Sequence, residues 1–123
     1  MKKHSGMTII ELLIAMAIIA ILASIAYPSL QSYVLKTHRG DAQAEMIKAQ
    51  LRQTALHILN PIYSDDKNAL GLQNNSYYNF TVISASTTTY LMKAEAIGQQ
   101  RNDVGCTSLT INHNNELTPK DCW

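Results

Sequence analysis

An almost wholly apolar stretch, residues 6–28, constrains this chain more than any other feature. It follows a short basic leader and contains one acidic residue, Glu11, near its start. As a helix, residues 7–27 would be about 31 Å long at roughly 1.5 Å rise per residue, which matches the ~30 Å hydrocarbon core of a bilayer. A carboxylate inside such a helix costs on the order of 2.5–3.5 kcal/mol at mid-membrane, so Glu11 needs a partner.

Three interpretations of this stretch are open. In a secretory signal peptide, the two leader lysines would form the basic region and residues 24–26 a small-residue cleavage site, but Glu11 would interrupt the apolar core. A plain membrane anchor also leaves Glu11 without a role. Cleavage between Gly6 and Met7 would instead place a new amino group about one helical turn from the carboxylate, where a cation could neutralise it.

The order of residues at this point resembles the class III signal of type IV pilins and their pseudopilin relatives. The resemblance implies that Gly6 is the last leader residue and that Met7 is the N-methylated first residue of the mature chain. It implies that Glu11 pairs with the N-terminal amine of a neighbouring subunit, and that Pro28 is the proline that bends the helix. The family mostly has Phe after the glycine, and this chain departs from that pattern with Met7.

The charge balance bears on partners and on orientation. The formal net charge is +1 and becomes −1 without Lys2 and Lys3, so composition offers no basic field for nucleic acid. The leader cations precede the span, whereas Lys36 and Arg39 lie beyond it and are partly offset by Asp41. The positive-inside rule therefore predicts a cytoplasmic leader and an exported C-terminal part.

Helical periodicity continues beyond Pro28 and predicts one long helix over about 8–59. Gly40 is its weakest position, because glycine costs roughly 1 kcal/mol relative to alanine in a helix. Asn60-Pro61 should end the helix, since a proline disfavours helical geometry at the residue before it. Apolar residues at spacings of three and four predict the stripe that packs on a sheet: Leu30, Tyr33, Val34, Thr37, Ala44, Ile47, Leu51, Ala55 and Ile58.

Alternating residues in the last third of the chain predict a small sheet behind that helix. The expected strands are 77–83, 88–97 and 107–112, with a brief fourth segment at 116–118. Three or four antiparallel strands can bury one face against the helix. The expected inward residues are Tyr78, Phe80, Val82, Tyr90, Met92, Ala94, Ala96, Leu109 and Ile111. The fold class is therefore α+β, and the resemblance implies the type IV pilin fold.

The chain has two cysteines, Cys106 and Cys122. In an exported protein an even number favours a disulfide. The bridge would close a loop of roughly 15 residues and add about 3 kcal/mol of stability in the chain-entropy model. It resembles the C-terminal disulfide loop of type IV pilins. A metal pair completed by His113, and a reactive thiol, are the open alternatives.

Patterns of catalytic residues do not stand out. The sequence has no Ser/His/Asp grouping, no paired-carboxylate pattern and no glycine-rich phosphate loop, which argues against an enzyme, a metal site and a cofactor. The acidic loop residues Asp65 and Asp66 lack the spacing of a calcium loop. A DNA-binding stripe would have to use three scattered cations, Lys93, Arg101 and Lys120. Ordinary surface charge is the simpler interpretation of these residues.

The resemblance implies a structural subunit of a type IV pilus, most like a minor pilin. A leader, 1–6, would be removed by prepilin peptidase, and the helix 7–28 would span the inner membrane before it joins the fibre. The head, 29–123, would comprise an amphipathic helix 29–59, a loop 60–76 and a sheet with its disulfide loop 77–123. Other pilins and the pilus assembly platform would be its partners. A type II secretion pseudopilin and a DNA- or receptor-binding minor pilin are the alternatives.

Overall fold

The computed structural model describes residues 6–123, so the leader residues before Gly6 lie outside the described part of the chain. The chain forms two compact units, Met1–Val34 and Leu35–Trp123, which are called the N-terminal unit and the C-terminal unit below. One helix, α1, runs Ile9–Leu59 and contributes to both units. Its ends agree with the helix predicted over 8–59, and neither Pro28 nor Gly40 interrupts it.

The N-terminal unit presents apolar side chains to its surroundings. Exposed fractions remain high along α1, with 81% at Ile9 and 69% at Ile25. This part of the helix is long and apolar enough to cross a membrane, and none of its most apolar window is buried. Pro28 lacks the amide hydrogen that would bond to the carbonyl four residues earlier. The bend at Pro28 stays a prediction.

The exposed apolar surface of this part of the helix needs a lipid or protein environment.

The C-terminal unit contains a four-stranded antiparallel sheet in the order β1-β2-β3-β4. The strands are β1 Tyr78–Ala85, β2 Tyr90–Ala96, β3 Ser108–Asn112 and β4 Leu117–Thr118. Short 3-10 helices occupy Gly98–Asn102 and Lys120–Cys122. The α+β fold, with one long helix packed on three or four strands, is therefore confirmed.

Strand alternation decides which side chains enter the core. β2 buries every second residue and leaves the residues between them at least partly exposed, as the sequence predicts. Val82 is only half-buried, because the register of β1 against β2 shifts between Val82 and Ser84. The buried sheet residues, which share one core with α1, are Tyr78, Phe80, Tyr90, Met92, Ala94, Ala96, Leu109 and Ile111.

The face of α1 that packs into this core is not the predicted apolar stripe. Ala42, Met46, Ala49 and Gln53 are the buried residues of the helix. The predicted stripe residues in this half are all exposed, so the prediction is wrong for Ala44, Ile47, Leu51, Ala55 and Ile58.

Gln53 explains why the sequence pattern is misleading. Its side-chain Nε2 donates to the Ser64 carbonyl at 2.7 Å, and its Oε1 accepts the Ser64 amide hydrogen at 2.8 Å. Because both the side-chain NH₂ and the side-chain carbonyl have partners, hydrogen bonds offset the cost of burying Gln53 fully. A polar residue thus lies on the inner face, and the more apolar-looking face of the helix is the outer one.

The segment between α1 and β1 protects the free edge of the sheet. Asn74 Oδ1 accepts the Phe80 amide hydrogen at 2.8 Å, and Lys67 Nζ donates to the Phe80 carbonyl at 3.5 Å. Asn75 Oδ1 accepts the Tyr78 amide hydrogen at 2.7 Å. Side chains therefore occupy backbone positions of β1 that another strand would otherwise pair with.

The helix face can be tested with neighbouring substitutions. Met46→Ala should lower the free energy of unfolding of the C-terminal unit by roughly 2–5 kcal/mol, because it empties a fully buried position. Ile47→Ala removes a 44% exposed side chain and should cost about 0.5 kcal/mol or less. Denaturant unfolding of the detergent-solubilised full chain, followed by Trp123 fluorescence, measures both. Equal costs would contradict the assigned face.

Candidate functional site

The start of α1 holds the acidic residue of the apolar stretch in a reciprocal set of hydrogen bonds. The backbone N–H and the hydroxyl of Thr8 both donate to Glu11 Oε2, each at 2.8 Å. The Glu11 amide hydrogen in turn reaches the Thr8 hydroxyl oxygen at 3.3 Å. This is a capping box, which satisfies backbone donors at a helix start and places the carboxylate beside the positive end of the helix dipole.

Sequence reasoning missed Thr8 as a partner of Glu11. The signal was available, because a Ser or Thr followed three residues later by Glu before an apolar run is typical of a capping box. Gly6 and Met7 precede this box and are both exposed. A side chain at Gly6 would contact no other residue within 4 Å, so local packing does not require glycine at that position.

Cys106 and Cys122 form a disulfide, with their Cα atoms 5.6 Å apart. The bridge joins the short helix Lys120–Cys122 to the residues that lead into β3. The C-terminal residues are also held by hydrogen bonds: Gln43 of α1 donates to the Cys122 carbonyl, and Trp123 Nε1 donates to the Thr118 carbonyl at 3.2 Å. Within residues 6–123, no group of three potential metal ligands comes together.

The connection between β2 and β3, residues 98–105, is fixed to α1 and is called the braced loop below. Gln100 is fully buried, and its Nε2 donates to the Leu35 carbonyl at 2.9 Å and to the Tyr78 hydroxyl at 3.1 Å. Arg39 Nη1 reaches both carboxylate oxygens of Asp103, at 3.2 and 3.1 Å. Both partners of this ion pair are largely shielded from solvent, at 15% and 12% exposed.

The braced loop also bears exposed residues, Arg101 and Val104 among them. The pattern follows from the anchoring, since Gln100 and Asp103 point to the helix and the residues between and beyond them point away. The loop therefore presents Arg101 from an anchored backbone, beside Glu95 and Ser108 of the sheet.

Two of the three predicted DNA-contacting cations come together on that outer face. Lys93 Nζ lies 2.9 Å from Glu95 Oε2. The hydrogen bond and charge of Lys93, and then the charge of Arg101, hold the pKa of the Glu95 carboxyl below its usual value. Lys120 instead lines a separate hollow with Leu117 and Trp123. Lys93 and Arg101 thus both act on Glu95, whereas Lys120 lines a different hollow.

The long helix, the four-stranded sheet and the C-terminal disulfide together define the chain as a type IV pilin. It belongs to the family described as "Type IV minor pilin ComP, DNA uptake sequence receptor", whose model matches residues 28–110. The model of the prokaryotic N-terminal methylation motif matches residues 1–27. The predicted pilin class and the predicted role as a structural pilus subunit are confirmed, and the family is a structural one and not a family of enzymes.

Individual relatives agree with this assignment. The type IV wide pilus major component PilA4 of Thermus thermophilus is 35% identical over 98 residues, which cover 76% of this chain and 75% of the relative. The fimbrial protein EcpC of Eikenella corrodens is 35% identical over 102 residues, covering 76% of this chain and 63% of that protein. A type IV pilin structure from Shewanella oneidensis shares the fold, with a TM-score of 0.62 and 23% identity over 72% of this chain and 97% of that one. The chain is accordingly a membrane-anchored subunit that assembles with other pilins.

Burial raises the pKa of the Tyr78 phenol, and the hydrogen bond from Gln100 acts in the opposite direction. The folded chain therefore keeps this proton to a higher pH than the unfolded chain, in which the tyrosine pKa is about 10. The stability it contributes is fully present below about pH 10 and is lost as the pH rises through the folded pKa.

The free energy of unfolding of Tyr78→Phe should therefore fall less steeply with pH above about pH 10. At neutral pH the variant should be less stable, because it loses the hydrogen bond with Gln100. Denaturant unfolding of the solubilised chain at a series of alkaline pH values measures the slope. Parallel pH profiles for the two proteins would show that Tyr78 does not carry the effect.

Proposed function

We propose that the chain is a minor subunit of a type IV pilus that enters the fibre through the N-terminal half of α1. Prepilin peptidase would cut between Gly6 and Met7 and methylate the new amino group of Met7. The precursor would lie in the inner membrane with its leader in the cytoplasm and its C-terminal unit in the periplasm, before the assembly platform moves it into the fibre. One observation carries the proposal: a single acid, Glu11, lies at the start of a helix whose apolar side chains are uncovered.

The capping box supports a role for Glu11 in docking. Thr8 supplies hydrogen bonds to the carboxylate but no positive charge. An ionised group that leaves water is tolerated when it is paired with an opposite charge and is strongly unfavourable when it is not. The amine created at Met7 of a neighbouring subunit would provide that charge. Cleavage and assembly are thereby coupled, because the uncut chain has no amine at this position.

The outer face of α1 in the C-terminal unit supports further contact with pilin helices. The exposed fractions of Ile47, Leu51 and Ile58 are 44%, 67% and 81%. Spacings of four and seven residues place all three on one face of the helix. Apolar residues arranged in this way on a helix usually pack against another surface. In the proposed fibre, the helices of adjacent subunits are that surface.

Glu11→Ala should still be cleaved and methylated, yet at least ~10-fold less of it should enter fibres, because the amine of the partner subunit would be left without its counter-charge. Intact mass of the membrane fraction and of sheared fibres reports cleavage, methylation and the disulfide together. The matched control is Glu45→Ala, which removes a partly exposed glutamate of the same helix, paired with Lys48 at 2.8 Å, and should leave incorporation unchanged.

Normal incorporation of Glu11→Ala would overturn the docking role. A mature chain that begins at any residue other than Met7 would overturn the cleavage site. Two free thiols in the exported protein would contradict the disulfide between Cys106 and Cys122.

A second candidate function is the capture of DNA by the C-terminal unit. The family match supports it, since the family is described as a DNA uptake sequence receptor and the match covers residues 28–110. Basic and acidic residues are equally numerous in residues 35–123, so a general basic field cannot provide the affinity. Binding would have to rely on local cations, and Lys93 and Arg101 are the pair that shares one face.

If Lys93 and Arg101 each contact a phosphate, the logarithm of the DNA association constant should fall with the logarithm of salt concentration with a slope of about −2, at roughly −0.9 per contact. Lys93→Gln combined with Arg101→Gln should weaken binding and flatten this slope. Lys48→Gln, which removes an ion-paired cation from α1, should do neither. Fluorescence anisotropy of duplex DNA with the solubilised mature chain measures these values. Undiminished binding by the double variant would exclude this face.

A further inference from the structure

The outward face of the sheet is organised in rows that cross neighbouring strands. In one row, Lys93 of β2 lies between Thr81 of β1 and Thr110 of β3, and Thr118 of β4 extends it. Neighbouring strands lie about 4.8 Å apart, so the row is about 14 Å long. Thr110 and Thr118 are joined by a hydrogen bond of 3.1 Å between their hydroxyl groups.

An adjacent row contains Glu95, the acidic residue that pairs with Lys93. Glu95 lies between Asn79 of β1 and Ser108 of β3. Both rows are polar, and hydroxyl, amide and ammonium groups of this kind are the side chains that proteins use to contact phosphate and sugar. Arg101 of the braced loop lines the same shallow depression as Glu95 and Ser108.

Glu95 is the only acidic side chain in these two rows of the described sheet, and it pairs with Lys93 and lines the same hollow as Arg101. Its carboxylate is 2.9 Å from Lys93 Nζ. The Glu95 side chain is 61% exposed, whereas that of Lys93 is 28% exposed, so the anion is the more accessible partner. An approaching phosphate would therefore meet the carboxylate and would have to displace it from the lysine.

We propose that Glu95 competes with the phosphates of nucleic acid for Lys93 and Arg101, and so limits binding that depends on phosphate contacts alone. This inference rests on the proposed capture of DNA. The competition lowers binding that depends on phosphate alone, because each cation must first give up the carboxylate. DNA that offers additional base or groove contacts can offset this cost, so at a given protein concentration such DNA stays bound where DNA held by phosphate contacts alone is released. Glu95 therefore sets a threshold of affinity by weakening the phosphate contacts of every complex.

The test uses the full mature chain in a neutral detergent, with duplex DNA of arbitrary sequence at ionic strengths from about 0.05 to 0.2 M. Glu95→Gln should bind this DNA about 3-fold or more tightly at the lowest salt, which is the size of one exposed ion pair. Its salt slope should be steeper by about 1. Adding Arg101→Gln to Glu95→Gln should return the affinity toward that of the unaltered chain.

The matched control is Glu45→Gln, which makes the same change of charge in a similar lysine pair, Lys48–Glu45 at 2.8 Å on α1. It should leave DNA affinity unchanged, because it lies outside the two rows. Near-ultraviolet circular dichroism verifies that each variant keeps the fold, and Glu95→Ala serves as a second variant at the same position.

The outcomes separate the two ideas. Tighter binding by Glu95→Gln but not by Glu45→Gln supports the competing role. Equal binding by the unaltered chain and both glutamate variants overturns that role and leaves the capture of DNA standing. An absence of binding by every variant, including Glu95→Gln at low salt, overturns the capture of DNA and the role of Glu95 with it.

Discussion

Helix α1 carries more apolar surface than the sheet of its own chain can cover. In the C-terminal unit, Met46 and the alanines beside it enter the core, while Ile47 and Leu51 stay exposed. In the N-terminal unit, none of the apolar side chains of the described chain is buried. This excess determines the rest of the molecule, since one helix face fixes the fold and the remainder needs lipid or other helices. A subunit of a fibre is a physical solution to that requirement.

Directional hydrogen bonds complement the apolar core. Gln53 and Gln100 are both fully buried, and the amide of each is hydrogen-bonded to a backbone carbonyl of a different segment. Gln53 ties the chain after α1 to the helix, and Gln100 ties the braced loop to it. Apolar contacts would tolerate small shifts of these segments, whereas paired amides specify their position, because a buried polar group without its partner costs free energy.

Much of the fold could be predicted from the sequence, because its strands follow simple periodicity. Tyr90 to Ala96 alternates as a half-buried strand does, and Leu109 with Ile111 does so again. The helix length was also predictable, since Asn60-Pro61 gives a clear end. The glycine, the acid and the apolar run are sufficient to indicate the pilin class.

The helix face could not be predicted, because spacing alone identifies an apolar stripe but not the surface that covers it. Gln53 makes the inner face look polar in the sequence. Its hydrogen-bond partner, Ser64, reaches it only in the folded chain. The candidate site shows the same limit. Sequence proximity does not reveal that Arg101 and Glu95 line the same hollow, because the position of Arg101 depends on how residues 98–105 are anchored to the helix.

The protected edge of β1 has a consequence for subunits that lie close to one another. Subunits concentrated in a membrane or stacked along a filament are continually presented with each other's strands, and an open strand would invite them to zip into a cross-β aggregate. Asn74 and Lys67 occupy the Phe80 backbone groups and remove part of that template. The sheets of neighbouring subunits therefore have less opportunity to pair through this edge, which lowers the tendency of a crowded pilin to aggregate.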